Sequence, residues 1–235
     1  MSLLYMIRHG QASFGQGTYD RLSETGSVQA EILGDYFRDS GKEFHFACSG
    51  EMSRQKETGR IALSRMNSGT TDPGPSIVTA FNEYNADAVI QRQMRRMVAE
   101  DPRIAEDFKK FFTDNHSFQR VLSRALRGWV SGALDTTGME SWQEFKQRVW
   151  LGIDRIRQEY QGGKSVAVFT SGGAITVATH IALSLPDDAT VDVIFQIANA
   201  SVTVFRYDRD RFTLSSFNET AHLQMRADPR LVTYR

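Results

Sequence analysis

Leu3-Leu4-Tyr5-Met6-Ile7-Arg8-His9-Gly10-Gln11 is the stretch from which the rest of the chain is read. Leu3 to Ile7 is a short apolar run bounded at once by a guanidinium, an imidazole and a glycine, the pattern of a buried strand whose C-terminal end carries polar groups. The run is too short to cross a bilayer or to form the apolar stretch of an export signal. A cytoplasmic, soluble protein is therefore expected, and the tripeptides at Asn115, Asn199 and Asn218 that match the glycosylation pattern are read as chance.

Working outward, the same punctuation recurs. A loop with glycines, Ser13 and Asp20 leads to Ser23-Glu24-Thr25-Gly26, which opens a helix to about Arg38, with Ala30, Leu33, Tyr36 and Phe37 on one face. Phe44 to Cys48 reads as a second strand, Arg54 to about Met66 as a helix, and Asn67 to Pro75 as a turn cluster. Ile77 to Phe81 reads as a third strand ending in Asn82-Glu83. Ser165 to Phe169 is the strongest strand pattern, followed by the tight turn Thr170-Ser171-Gly172-Gly173 and a helix from Ala174 to Leu183. Val202 to Tyr207 and Phe212 to Phe217 read as a hairpin around Asp208-Arg209-Asp210.

Between about 87 and 160 no strand is evident and apolar residues recur at helical spacing, with breaks near Asp101-Pro102, Asp114-Asn115 and Asp135 to Gly138. Glu140-Ser141-Trp142 caps the last helix of this block and Gly162-Gly163 stops it. Strands alternating with helices predict an α/β fold, a three-layer sandwich with a mainly parallel sheet flanked by helices. The block at 87–160 is too long for a crossover and is read as a helical cap insertion within a single domain spanning 1–235.

Composition sets the limits. The chain has 235 residues with 28 Lys plus Arg against 28 Asp plus Glu, so no global field favours nucleic acid or an anionic membrane as partner. One cysteine, Cys48, excludes an intrachain disulfide framework and an ordinary cysteine zinc cluster. No histidine pair matches the helical HExxH pattern, so no metal is expected, and no cofactor is implied. His45, His116 and His180 lack ligand spacing and are read as structural. Gly162-Gly163-Lys164-Ser165 ends like a phosphate loop, but Gln158 stands where its first glycine belongs. Ser171 lacks the preceding glycine of a nucleophile elbow, that place being Phe169. Arg92, Arg95, Arg96 and Arg103 are read as a solvated helix face.

Ligands of open α/β sheets bind beyond the carboxyl ends of the strands. Here those ends are Arg8-His9-Gly10, Ser49 leading to Arg54, Asn82-Glu83 and Thr170-Ser171-Gly172. Two guanidinium forks and a glycine-rich helix N-terminus suit phosphate oxygens. A neutral imidazole among them can attack phosphorus and carry the phosphoryl group covalently. Glu83 can protonate the departing alkoxide if burial raises its pKa.

These segments in this order resemble the histidine phosphatase superfamily, the phosphoglycerate-mutase-like fold. The resemblance rests on Leu4 to Gln11, Leu22 to Gly26 with Gln29-Ala30, Ser49 to Thr58, Phe81-Asn82-Glu83, Ser165 to Gly173, and Phe217-Asn218 to His222-Leu223. It implies His9 as the phosphate-accepting nucleophile, Arg8 and Arg54 as phosphate ligands, Glu83 as proton donor and the 87–160 block as a substrate-facing cap. Two departures stand out. The family's second histidine, before Gly-Gly, is here Ser171, and the asparagine that follows Arg-His-Gly in many members is replaced in Ala12-Ser13-Phe14-Gly15.

Ser171 and Gly172 are therefore assigned to phosphate binding, with Ser13 and His222 as further candidates. Loss of one well-placed charged donor costs roughly 2.7–4 kcal/mol, about 10²–10³ in rate. The expected function is phosphomonoester hydrolysis through phospho-His9, acting on a small-molecule phosphomonoester or a phosphorylated protein. The alternative is a catalytically weak, phosphate-binding member. Phosphoglycerate mutase activity is less favoured, since nothing marks a second phosphate pocket. Oligomeric state is left open.

Overall fold

A computed structural model describes residues 1–13, 20–66 and 74–234. The loop positions 14–19 and the turn expected at 67–75, apart from Gly74 and Pro75, lie outside the described residues. Six strands form one sheet: β1 (Ser2–Arg8), β2 (Phe46–Ser49), β3 (Ser76–Ile77), β4 (Ser165–Thr170), β5 (Val202–Tyr207) and β6 (Phe212–Glu219), in the order β3-β2-β4-β1-β5-β6. The first four are mutually parallel, and the β5–β6 hairpin joins β1 antiparallel.

The layers follow from period-two alternation. Tyr5 and Ile7 of β1, Ala167 and Phe169 of β4, and Val202 and Val204 of β5 face one side. There they meet Leu33 and Phe37 of α1 (Glu24–Asp39) and Ala62 and Leu63 of α2 (Ser53–Met66). Leu4, Met6, Val166, Val168 and Phe205 face the other side and join the apolar stripes of α6 (Trp142–Glu159) and α7 (Gly172–Leu183). This is the expected three-layer sandwich. Ser23 caps α1 by accepting the Gly26 N–H at 3.0 Å, a bond worth about 1 kcal/mol.

The helical block divides. Its helices α3 (Ala86–Glu100), α4 (Arg103–Lys109) and α5 (Asn115–Val130) break where the sequence places Asp101-Pro102 and Asp114-Asn115. The last helix, α6, is instead a sheet-flanking helix. Its Phe145, Val149, Ile153 and Ile156 are buried with Leu4, Met6, Val166 and Val168. Tyr160, just beyond its end, stacks on Phe46 of β2 at 4.9 Å. Two short helices, α8 (Asp187–Ile194) and α9 (Ala221–Gln224), are additions to the elements read from sequence. Arg96 pairs with Glu100 and Arg103 with Asp101, as a solvated basic face would.

The third strand departs most from expectation. It pairs only at Ser76–Ile77, and Thr79–Phe81 then closes as a 3₁₀ turn. Val78 makes one last bond to the Ser49 carbonyl, at 2.8 Å. The next carbonyls are taken by side chains from elsewhere in the fold, which replaces the ladder a strand would need. No helix among the described residues is long and apolar enough to cross a membrane.

Candidate active site

Register brings the polar strand ends together. Arg8 lies opposite Thr170 and Ile7 opposite Phe169, so His9 and Ser171 leave neighbouring parallel strands side by side. Phe169 is also paired with Ser49, whose strand leads into α2 and Arg54. The chain beyond β1 can pass α1 only because Gly10 and Gly26 both lack a side chain. A Cβ on Gly10 would lie 2.4 Å from the Gly26 carbonyl oxygen, and one on Gly26 would lie 2.1 Å from that of Gln11. Thr58 bolts this crossing to α2, accepting the Gly10 N–H at 3.0 Å and donating to the Arg54 carbonyl at 2.7 Å.

His9 is buried, and its contacts define its tautomer. Arg54 Nε donates to His9 Nε2 at 3.1 Å, and an arginine can only donate. Nε2 is therefore the acceptor, and Nδ1 carries the proton, donated to the Gly10 carbonyl at 2.7 Å. Burial first, then Arg54 and Arg8, hold the imidazole pKa well below 6.5, against the opposing Gly10 bond. Magnitudes agree with that direction. Like charges about 4 Å apart repel by about 4 kcal/mol at an effective dielectric near 20, more than the roughly 1.5–3 kcal/mol of a charged hydrogen bond. The result is a neutral imidazole whose Nε2 lone pair faces Arg54, with the charge of Arg8 close enough to act on the ring.

Arg54 is held in turn by Asp20, whose Oδ1 accepts its Nη1 at 2.9 Å while Oδ2 accepts the Ser53 N–H at 2.8 Å. Arg8 Nη1 donates to the Ile197 carbonyl. Glu83 faces the same crevice with its carboxyl on the N-terminus of α7, Oε2 accepting the Gly173 N–H at 3.0 Å and Oε1 the Tyr84 N–H at 3.2 Å. Burial raises its pKa above 4.5, and these bonds with Arg54 and Arg8 only partly offset that. The helix N-terminus expected to receive phosphate thus spends the Gly173 N–H on the acid. Gly172 stands beside Arg8, a Cβ there lying 3.9 Å from Arg8 Nε, whereas a Cβ on Gly173 would fall 2.1 Å from Glu83 Oε1. Of the two glycines, Gly173 is the one the geometry demands.

Ser171 is buried, and its Oγ accepts Gln55 Nε2 at 2.8 Å. The same amide donates to the Phe81 carbonyl at 3.2 Å. Ser171 therefore still has its own hydroxyl proton to donate.

The two further candidates are otherwise engaged. Ser13 Oγ donates to the Arg21 carbonyl at 3.0 Å, closing its own loop. His222 Nε2 meets the Ala200 carbonyl at 3.0 Å and its ring stacks on Tyr36 at 5.4 Å. Burial lowers its pKa to about 4, so it offers no imidazolium at neutral pH.

Asp20, Gln55, Gly173 and Asn199 (which donates to the His9 carbonyl at 3.1 Å) are contributors that sequence reading did not assign. Gln55 follows Arg54 directly and Gly173 follows Gly172, so adjacency was their only signal. A cleft of about 1430 Å³ lies between α5, α8 and the C-terminal segment; Gln11, two residues beyond His9, is part of its lining, and Arg120, Arg124 and Arg127 along α5 are paired with Asp107, Glu100 and Asp192.

A family model described as the histidine phosphatase superfamily (branch 1) matches residues 4–220. Solved structures share the fold. A phosphoglycerate mutase from Bacillus anthracis is 21% identical at a TM-score of 0.64, with 97% of each chain covered. A phosphoserine phosphatase from Entamoeba histolytica is 20% identical at 0.62, covering 95% of this chain and 100% of that one. A mycobacterial glucosyl-3-phosphoglycerate phosphatase is 20% identical at 0.62, covering 94% and 100%. No curated protein sequence matches the chain significantly.

Proposed function

The chain belongs to the histidine phosphatase superfamily, and from that premise we propose that it hydrolyses phosphomonoesters through a phosphohistidine formed on His9. The family and its neighbours support phosphatase or mutase-like chemistry. The observation that carries the phosphohistidine reading is the hydrogen bonding of His9, which leaves the proton on Nδ1 and turns the Nε2 lone pair toward Arg54.

Phosphate entering the crevice draws the Arg54 guanidinium onto its oxygens and uncovers that lone pair. Nε2 attacks phosphorus while the bond to the leaving oxygen breaks, and the Glu83 carboxylic acid gives that oxygen its proton. Water then attacks phosphohistidine, passes a proton to the Glu83 carboxylate, and the P–N bond breaks. Positioning and charge neutralisation supply most of the acceleration in such transfers. The cleft that Gln11 helps to line takes the leaving group, a small molecule or a segment of phosphorylated protein, and its wall of paired charges, Arg124 with Glu100 and Arg127 with Asp192, suits polar substituents.

Glu83→Gln tests the acid. Hydrolysis of an alkyl phosphomonoester needs Glu83 protonated, so activity falls as pH rises through its raised pKa. The variant is expected to lose about 10²–10⁴-fold on this substrate and to lose that alkaline limb. A limb that stays in place in Glu83→Gln assigns the proton to another group.

One observation favours the second reading, a phosphate-binding member of weak activity. Ser171 brings no positive charge, and His222 is committed to Ala200 and Tyr36. An imidazole at 171 would land on the Gln55 amide, now 2.8 Å from Ser171 Oγ. Ser171→His alone is therefore expected to gain nothing, whereas Ser171→His with Gln55→Ala gains up to about 10²-fold in kcat. A double variant no faster than wild type, with phosphate still bound, means Ser171 is not what limits turnover.

A further inference from the structure

We propose that Arg148 is a positioning residue for the proton donor, clamping the turn that presents Glu83. The inference rests on the phosphatase reading above. Arg148 Nη1 donates to the carbonyls of Thr79 at 3.2 Å, Ala80 at 2.9 Å and Asn82 at 3.1 Å. Three carbonyl dipoles converging on one point repel unless a cation neutralises them. The guanidinium does so, and its remaining charge is balanced by a fork onto Glu140, Nε to Oε1 at 2.6 Å and Nη2 to Oε2 at 2.9 Å. Its Cζ also lies 5.0 Å from the Phe145 ring centre.

Every carbonyl of the turn is thereby accounted for. That of Phe81 points the other way and accepts Thr170 Oγ1 at 2.7 Å and Gln55 Nε2 at 3.2 Å. The Asn82 side chain accepts the Glu51 N–H at 2.6 Å, tying the turn to the segment that leads into Arg54.

A second feature of α6 points to the same role. Gly152 is one turn beyond Arg148 and on the same face. A Cβ at Gly152 would lie 2.7 Å from Ala80 Cβ and 3.1 Å from Phe81 Cζ. Arg148 thus pulls the turn onto α6, and Gly152 lets it come close. Glu83 is the residue the turn delivers, and its carboxyl must reach the Gly173 N–H.

A displaced acid slows formation of phosphohistidine only where the leaving group needs a proton, and kcat/KM reads that step without the later one in which Glu83 takes the proton of water. The test compares para-nitrophenyl phosphate, whose leaving group departs without a proton, with glycerol phosphate, whose alkoxide requires one. Arg148→Gln and Gly152→Ala are each expected to lower kcat/KM on glycerol phosphate by about 10–100-fold, part of what a general acid contributes. On para-nitrophenyl phosphate kcat/KM stays within about threefold in both. Arg148→Lys, which keeps the cation but not the fork, falls between, and combining Arg148→Gln with Glu83→Gln adds no further loss.

Gly152→Ala removes no charge and improves helix propensity, so it reports on the turn even if Arg148→Gln does not fold. Equal losses of kcat/KM on both substrates, or full kcat/KM on glycerol phosphate in Arg148→Gln and Gly152→Ala, overturn the proposal. A wild-type protein that turns over neither substrate overturns the phosphatase reading and this inference with it.

Discussion

His9→Ala is expected to abolish turnover of para-nitrophenyl phosphate, with a loss on the order of 10⁴-fold or more, the scale on which removal of a covalent nucleophile acts. The size follows from the absence of a substitute. His222 is held by Ala200 and Tyr36, and the Ser171 oxygen already accepts the Gln55 amide. An aryl phosphate needs no proton from Glu83 to form phosphohistidine, and Glu83 is unchanged in this variant, so the loss reports on the nucleophile. Steady-state rates over pH 5–8 with chelator present are the measurement. The fold should survive, since His9 lies at a strand end and the Asn199 and Ala200 bonds to residue 9 involve its backbone carbonyl.

Arg54→Ala is the second large effect, a fall of about 10²–10³-fold in kcat. The guanidinium does two jobs. In the proposed mechanism it neutralises phosphate charge, and after burial it is the largest influence holding the His9 pKa down. Removing it lets the His9 pKa rise, and a protonated imidazole has no lone pair to give. The acid limb of the rate profile therefore moves to higher pH. Arg54→Lys retains a charge but cannot hold His9 Nε2 and Asp20 Oδ1 together as the fork does, so it is expected to recover only part of the rate. The kcat–pH profiles of the two variants, with inorganic phosphate affinity beside them, check this. An unmoved acid limb in Arg54→Ala would separate Arg54 from control of His9.

Local pattern carried most of the fold. The alternation in Leu3 to Ile7 and Ser165 to Phe169 sorts the buried side chains onto two faces without reference to the rest of the chain. The breaks at Asp101-Pro102 and Asp114-Asn115 were legible because proline and capping side chains act within a few residues. What failed to show depends on distant partners. Thr79 to Phe81 reads as strand from its own residues, and becomes a 3₁₀ turn because Arg148, far along the chain, supplies the donors its carbonyls need. Helix α6 reads as part of a roof until its apolar stripe is seen against β1 and β4.

The site divides in the same way. His9, Arg8, Arg54 and Glu83 sit at the ends or starts of elements, where strand-end position marks them in the sequence, and the fold brings them together. Gln55 meets Ser171 across 116 residues, and Asp20 meets Arg54 across 34, so no local spacing announces either pair. The choice between Gly172 and Gly173 was also illegible. Both are small and both open α7, and only the placement of Glu83 separates them.

The most direct measurement is to trap the enzyme during turnover. Wild-type protein is mixed with radiolabelled phosphomonoester, quenched in alkali within milliseconds, and digested for mass spectrometry. The expected result is one phosphoryl group on the peptide carrying His9, stable in base, released in acid, and absent from His9→Ala. Turnover with no trapped label under any quench, or label carried by Ser171 or retained in His9→Ala, would contradict phosphohistidine chemistry at this site.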